Sequence, residues 1–323
     1  MPKTPVVVTT SPGFGKVGRV PQALADEGWE LIRCDDRTLP DGGLSAHLAR
    51  MDFLVVGLIP ATARVIAAAP RLKAVLKHGV GVDNIDIPAA TARGIPVLNT
   101  PGANANAVAE LALGGMLAIA RRIPQGHAKV TGGGWERFVG VELAGRTLGI
   151  VGLGNIGKRL ARKARALDME VIAADPFPDA AFCRETGIRM LPLSDLLVRA
   201  DFVSLHLFGG KDNARLIGAP QLALMKPTAF LLNYARGEIV DLDALARALS
   251  EGRLAGAAID AYDREPPDAG HPVFSLPNVV FTPHSGADTT EAVENMGLMN
   301  IADIKAILAG ERPSRVLNPR IYG

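Results

Sequence analysis

The stretch from Arg146 to Pro176, RTLGIVGLGNIGKRLARKARALDMEVIAADP, constrains this chain more than any other. It opens on an apolar run, Thr147 to Val151, of the kind that forms a buried strand. Gly152-Leu153-Gly154-Asn155-Ile156-Gly157 follows, a GxGxxG. A helical pattern then reaches about Leu167, with Ile156, Leu160, Ala164 and Leu167 on one face. A second apolar strand, Val171 to Ala174, ends at Asp175, 18 residues after the last glycine. Each part has a physical job in dinucleotide binding. Gly152 permits the tight turn, Gly154 leaves room for a pyrophosphate, and Gly157 lets helix and strand pack closely. The helix N-terminus offers amides and a positive dipole end to the phosphates. Asp175 would accept hydrogen bonds from both ribose hydroxyls and repel a 2′-phosphate, so NAD is expected rather than NADP. The intact unit weighs against an ordinary turn with structural glycines.

At 323 residues, two domains are the natural expectation. The first hundred residues alternate strand and helix, with strands at Val6–Thr9, Glu30–Cys34, Phe53–Val56, Ala74–Leu76 and Pro96–Leu98 and helices such as Ala61–Ala68. That alternation implies a five-stranded parallel sheet with helices on both faces. Thr100-Pro101-Gly102-Ala103 marks a break. A long helix runs from about Asn104 to Arg121, and Gly132-Gly133-Gly134 forms a loop. From Thr147 the alternation resumes, with strands at Phe202–Leu205, Phe230–Asn233, Ala257–Ile259 and Val279–Phe281 and helices at Leu193–Ala200 and Leu242–Glu251. This gives six strands, the number of a full dinucleotide-binding sheet. A last helix places Val293, Met296, Asn300, Ile304 and Leu308 on one face and is expected to return to the first sheet. The expected architecture is α/β: two doubly wound parallel-sheet domains. A Rossmann NAD-binding domain (102–287) is inserted into a flavodoxin-like substrate domain (1–101 and 288–323), and the two crossings form a hinge and a cleft.

Composition excludes several classes. Lys and Arg are scattered and the net charge is +2, which suggests neither a nucleic-acid nor an anionic-membrane partner. The longest apolar stretch, Ala107 to Ala120, contains Glu110 and is too short to span a bilayer. The N-terminus has no signal-peptide apolar region. Cys34 and Cys183 fit no disulfide or metal pattern, and HxxxH, HExxH and CxxC are absent. No metal is therefore expected, and a reducing cytoplasm fits best. No GxSxG nucleophile elbow is present.

Three polar residues lie just past strand ends: Arg236, Glu265 and His284. Three neighbouring strands can gather them at one edge, facing a nicotinamide. The set suits hydride transfer at a hydroxyl-bearing carbon. His284 can exchange the hydroxyl proton, Glu265 can favour its imidazolium, and Arg236 can grip a carboxylate at two points. Their plain alternatives are a surface ion pair for Arg236, a loop acid for Glu265 and a helix cap for His284. In the first half, Lys77-His78-Gly79-Val80-Gly81-Val82-Asp83-Asn84 follows a strand. Its amides would hold a carboxylate, or the segment is a plain turn. His78 either touches substrate or shapes this loop, and His206 either lines the cofactor pocket or fills space.

Taken together, the blocks HGVGVDNIDI (78–87), NTPGANANAVAELAL (99–113), TLGIVGLGNIGKRLA (147–161), LMKPTAFLLNYARGEIVD (224–241), DAYDREPP (260–267) and LPNVVFTPHSGADT (276–289) carry a resemblance. Over nearly its whole length the chain resembles the D-isomer-specific 2-hydroxyacid dehydrogenases. The resemblance implies a homodimer of two-domain subunits and NAD-linked interconversion of a small 2-hydroxy acid and its 2-oxo acid. It implies that Arg236, Glu265 and His284 are the catalytic set and that Val80 and Gly81 bind the substrate carboxylate through backbone N–H groups. Gly152, Gly154, Asn155, Ile156, Gly157, Asp175, Leu207, Phe208, Asn213, Tyr234, Ala235, Asp260 and Gly286 fall where the family contacts its cofactor. Lys77 stands where Arg is common and would favour a second anionic group. Glu265 separates the chain from the related formate dehydrogenases, which place Gln beside the His. Phosphoglycerate dehydrogenases resemble it most around 284–287. Yet Val56-Gly57 stands where many of them carry Arg-Ser for the phosphate, and no regulatory domain is expected. Glyoxylate or hydroxypyruvate is then at least as good a substrate as 3-phosphoglycerate. Phe208-Gly209-Gly210 replaces a usual Pro-Leu-Thr, and Tyr234 replaces a smaller residue and would narrow the nicotinamide pocket. The alternatives are a D-3-phosphoglycerate dehydrogenase specifically, an enzyme oxidising an inorganic acid such as phosphite, or a non-catalytic NAD-sensing binding protein of the same fold.

Overall fold

Apolar runs bounded by glycine and proline become parallel strands buried on both faces, because only such runs survive between two helical layers. The computed structural model describes residues 4–34, 39, 41–57 and 59–323. The chain divides into two compact units, residues 1–104 with 287–323, and residues 105–286. The first contains β1 (Val6–Thr9), α1 (Val20–Glu27), β2 (Glu30–Arg33), β3 (Phe53–Val56), α2 (Ala63–Ala67), β4 (Ala74–Lys77), α3 (Ile87–Ala92) and β5 (Val97–Leu98). Its five parallel strands run in the order β2-β1-β3-β4-β5. β1 and β3 are buried at every residue.

The second unit opens with α4 (Ala105–Ala120) and α5 (Ile123–Thr131). It continues through β6 (Thr147–Val151), α6 (Asn155–Arg165), β7 (Glu170–Ala174), α7 (Ala180–Thr186), β8 (Arg189–Met190), α8 (Leu193–Arg199) and β9 (Phe202–Leu205). It closes with α9 (Ala219–Leu224), β10 (Phe230–Asn233), α10 (Leu242–Ser250), β11 (Gly256–Ile259) and β12 (Val279–Phe281). The sheet order is β12-β11-β10-β9-β6-β7-β8, all parallel, so the strand order reverses between β6 and β9. In open α/β sheets such a reversal opens a crevice at the carboxyl ends of the strands.

The fold class agrees with the sequence reading, and several details differ. The second sheet has seven strands, because the two-residue β8 adds an edge too short to leave an alternating pattern. The helix expected to end at Arg121 is followed by α5, separated from α4 by Arg122 in a left-handed conformation with Pro124 in the first turn. Leu167 lies beyond α6 and is exposed, because the chain turns out of the helix through Asp168, whose φ is +59°. The buried face of α6 is Gly157, Leu160, Ala161 and Ala164, and its last turn is basic, as the helix dipole favours.

After β12 the chain returns to the first unit as α11 (Thr290–Leu308), which packs with α1 and β4. Met296, Asn300 and Ile304 are buried as expected, while Leu308 is exposed. Burying an aliphatic side chain such as Ile304 contributes about 2 kcal/mol. Among the described residues, no helix is long and apolar enough to cross a membrane.

Candidate active site

The neighbouring strands β10, β11 and β12 end at three loops that carry Arg236, Glu265 and His284. Asn233, the last residue of β10, is buried, and its side chain spans the turn. Its Nδ2 donates to the Arg236 carbonyl at 2.9 Å, and its Oδ1 accepts the Ala235 N–H at 3.2 Å. That bends the chain and presents Arg236. Gly237 then lies directly against the Tyr262–Asp263 backbone, where any side chain would collide. The close approach locks the Arg236 loop onto the Glu265 loop.

Asp260 organises the third loop. Its carboxylate accepts from the Thr282 hydroxyl at 2.6 Å, from Ser285 N–H at 2.9 Å and from Gly286 N–H at 3.0 Å. Between those anchors His284 adopts φ +52°, a region that L residues enter at a cost of about 1–2 kcal/mol. Tyr262 ties the same ends together. Its hydroxyl donates to the Thr282 carbonyl at 2.9 Å, and its N–H donates to Glu265 Oε1 at 3.3 Å. Burial and the nearby carboxylates push the Tyr262 phenol up to about 12, so it stays a donor.

His284 Nδ1 and Glu265 Oε1 are 2.6 Å apart, with the two side chains 41% and 34% exposed. The bond from Glu265 holds the imidazole above its ordinary value against the pull of burial. Burial pushes the Glu265 carboxyl up, but the His284 bond and the charges of His284 and Arg236 outweigh it and hold it below the usual range. The Arg236 charge acts on both partners, and its loop packs on theirs through Gly237. With Nδ1 committed to Glu265, Nε2 is the atom left to exchange a proton. The set can donate or accept a proton beside a cation suited to a carboxylate.

Gly152 to Gly157, Asp175, and Leu207 with Phe208 lie just past the carboxyl ends of β6, β7 and β9, while Tyr234, Ala235 and Asp260 follow β10 and β11. The three glycines differ as the motif requires. Gly152 has φ +94°, and a Cβ there would lie 2.7 Å from the His206 carbonyl oxygen. A Cβ on Gly157 would collide with the Gly152 carbonyl, which is the close helix–strand contact. A Cβ on Gly154 would meet nothing within 4 Å, so open space lies over the glycine that caps α6. Asn155 and Ile156 form the first turn of that helix. Asp175 opens the loop after β7. Its oxygens accept from Leu153 N–H at 2.8 Å and Phe177 N–H at 2.7 Å, which ties the acid to the glycine turn. These features fit a dinucleotide.

After β9, Leu207 packs against the core and Phe208 is 75% exposed. Asn213 holds the Phe208 carbonyl at 2.9 Å. Ala235 is buried at the end of β10. The Tyr234 ring points into the core, its hydroxyl against Gly115 of α4, so the side chain supports the sheet end from behind. His206 Nε2 lies 2.9 Å from Ser204 Oγ, and burial pushes the ring down to about 3, which removes it as a proton carrier near neutrality.

In the first unit, the loop after β4 has its carbonyls tied down. The Gly79 carbonyl accepts from the Thr100 amide and hydroxyl, each at 2.9 Å, and the Val80 carbonyl accepts from Asn99 Nδ2 at 2.8 Å. Among the described residues no acceptor meets the Val80 or Gly81 amides. Lys77 Nζ donates to the Gly57 carbonyl at 2.7 Å and to Asn84 Oδ1 at 2.9 Å. His78 lies 3.0 Å from Ser11 Oγ and 3.3 Å from the Val293 carbonyl on α11, so it shapes this loop. A second GxGxxG, Gly13-Phe14-Gly15-Lys16-Val17-Gly18, follows β1. Its Phe14 is fully buried, and Glu294 of α11 accepts the Arg19 N–H at 3.0 Å, filling the place an anion would take before α1. Among the described residues no cluster of His, Cys, Asp or Glu is arranged to hold a metal.

Three supporting residues were not singled out in the sequence for these roles: Thr282, Tyr262, and Asp260 as the anchor of the His284 loop. The signal that Asp260 and Thr282 leave is a polar residue directly after each of two adjacent strands.

Comparison with known proteins gives concordant matches. Residues 113–286 match the family model for the D-isomer specific 2-hydroxyacid dehydrogenase NAD binding domain. The D-3-phosphoglycerate dehydrogenase of Methanocaldococcus jannaschii is 43% identical over 260 residues, which is 80% of this chain and 49% of that protein. The chain thus spans about half the length of that relative. The glyoxylate reductase of Thermococcus litoralis is 39% identical over 294 residues, 88% of each chain. A crystal structure of a protein from Thermus thermophilus is similar with a TM-score of 0.88 and 35% identity, covering 97% of this chain and 99% of that one. On sequence and fold alike, this chain belongs to the D-isomer specific 2-hydroxyacid dehydrogenase family.

Proposed function

We propose that the chain is an NAD-dependent dehydrogenase interconverting a small D-2-hydroxy acid and its 2-oxo acid. The observation that carries this reading is the 2.6 Å His284–Glu265 pair under the influence of Arg236. Bound NADH supplies the hydride. In the reducing direction His284 gives its Nε2 proton to the carbonyl oxygen as that oxygen becomes a hydroxyl. Glu265 keeps the imidazolium charged and oriented. Arg236 grips the substrate carboxylate and polarises the carbonyl. Gly152 to Gly157 with Asn155 and Ile156 hold the pyrophosphate, and Asp175 holds the ribose. Leu207, Phe208, Asn213, Tyr234, Ala235, Asp260 and Gly286 complete the cofactor site, Tyr234 through its backbone. The Val80 and Gly81 amides take a substrate carboxylate oxygen, and Lys77 favours a second anionic group.

The substrate carries no phosphate in this reading. Gly57 stands where a phosphate-binding serine would be needed, and a Cβ there would lie 2.6 Å from the Thr10 carbonyl oxygen. Glyoxylate or hydroxypyruvate fits better than a phosphorylated acid. The enzyme is a homodimer. Ile123, Val130, Trp135 and Val139 are exposed along α5 and the segment after it, and a monomer rarely leaves so many large apolar side chains in water. Cys34 and Cys183 are not joined in a disulfide, and we place the enzyme in a reducing cytoplasm. A panel of 2-oxo acids assayed with NADH and then NADPH tests the reading. Turnover of an unphosphorylated acid with NADH supports it, and no turnover of any 2-oxo acid refutes it.

A further inference from the structure

The loop Leu207 to Leu216 and the loop that carries Arg236 are joined at Glu238, through its side chain and its carbonyl. Glu238 Oε1 accepts the Gly210 N–H at 2.6 Å, and the Glu238 carbonyl accepts the Arg215 N–H at 2.6 Å. Glu238 therefore holds the segment 210–215 at both ends. The pairing continues as Ile217 N–H donates to the Ile239 carbonyl and Asp241 N–H to the Ile217 carbonyl, each at 3.0 Å.

Gly209 shows what this contact does to Arg236. A Cβ on Gly209 would collide with Glu238 Oε1 and lie 3.1 Å from Arg236 Cγ. The backbone at 209 thus rests on the Glu238 carboxylate and on the aliphatic stem of Arg236 together. Gly210 reaches the carboxylate with φ +111°, a conformation that a Leu-Thr pair would not supply. The glycines at 209 and 210 are therefore matched to Glu238. On the opposite side, the Arg236 loop is backed by the Gly237 contact with the Tyr262–Asp263 backbone. The Arg236 loop is thus held from both directions.

We propose that Glu238 is a positioning residue that couples the cofactor-side loop 207–213 to Arg236. The inference rests on the proposed roles of that loop and of Arg236. In this proposal Glu238 acts on substrate and cofactor only through the residues it holds. It fixes the loop that contacts the cofactor and, through Gly209, the rotamer from which Arg236 reaches the substrate carboxylate. A charge-assisted hydrogen bond is suited to this, since it is stronger and more directional than a neutral one.

The signature is one residue that moves both binding constants. Glu238→Ala should raise the KM for the 2-oxo acid and the Kd for NADH by about tenfold each, the change one charge-assisted hydrogen bond supports. Glu238→Gln keeps an acceptor oxygen for Gly210 and should stay within about threefold of wild type in both. Phe208→Ala should weaken NADH alone, and Arg236→Lys should weaken the 2-oxo acid alone. A lower melting temperature in Glu238→Ala with both constants unchanged overturns the proposal, because that is what a merely structural role produces. Loss in Glu238→Gln equal to that in Glu238→Ala also overturns it. If wild-type protein binds NADH but reduces no 2-oxo acid, the proposed activity fails. The coupling is then decided by NADH alone, and an unchanged Kd in Glu238→Ala overturns it.

Discussion

Gly152 and Gly154 are two residues apart in one motif, yet the structure assigns them separable jobs. At Gly152 a substituted alanine keeps φ near +94° and sets a methyl 2.7 Å from the His206 carbonyl oxygen. Left-handed backbone strain costs about 1–2 kcal/mol and overpacking against rigid backbone about 1–3 kcal/mol, so Gly152→Ala should lose about 2–5 kcal/mol. For a unit of this size that corresponds to a fall in Tm of about 10 °C. Gly154 has φ −79° and open space around its Cβ position. An alanine there leaves Tm unchanged or slightly raised, since it restricts only the unfolded chain. Its methyl would occupy the space over the α6 N-terminus, and NADH affinity should fall by at least about tenfold, or 1.4 kcal/mol. Thermal melts by circular dichroism and NADH fluorescence titrations read the two effects separately. If Gly154→Ala binds NADH as wild type does, or melts as low as Gly152→Ala, the division of labour is wrong.

The remaining predictions concern charge. The His284 imidazole is held above its ordinary value by Glu265, so the imidazolium persists to higher pH and reduction falls as pH rises through that raised value. Glu265→Gln removes the cause, so the falling limb of kcat/KM for reduction should move to lower pH. A limb that stays in place removes Glu265 from the mechanism. The pair stabilises the folded unit most between the ordinary carboxyl and imidazole values. Its contribution is lost as pH falls through the lowered Glu265 value or rises through the raised His284 value. Asp175→Asn should cut kcat/KM with NADH by about tenfold while improving NADPH use, because the repulsion of a 2′-phosphate is gone. Unchanged cofactor preference contradicts the role given to Asp175.

What could be read from the sequence follows from how local each signal is. Buried parallel strands such as Phe202–Leu205 are continuous apolar runs, so their positions were legible to within a residue or so. The nucleotide turn was legible because each glycine answers a local requirement and Asp175 lies at a fixed distance beyond it. β8 was hidden because two residues carry no period, and α5 because Arg122 and Pro124 look like a loop. The Asp260–Thr282–Ser285 network was hidden for a different reason. Its bonds join segments more than twenty residues apart, and no single segment carries the pattern. Tyr234 misled for the same reason. From the sequence it faced the nicotinamide, and only the packing of Gly115 on α4 reveals the space behind the sheet that takes the ring.

The most direct test pairs turnover with cofactor binding in His284→Ala. NADH oxidation with a reducible 2-oxo acid and NADH fluorescence titration are measured on the same preparation. The account predicts that turnover falls by at least about a thousandfold, the scale of a lost general acid, while the NADH dissociation constant stays within about threefold of wild type. A His284→Ala protein that turns over at the wild-type rate would contradict it.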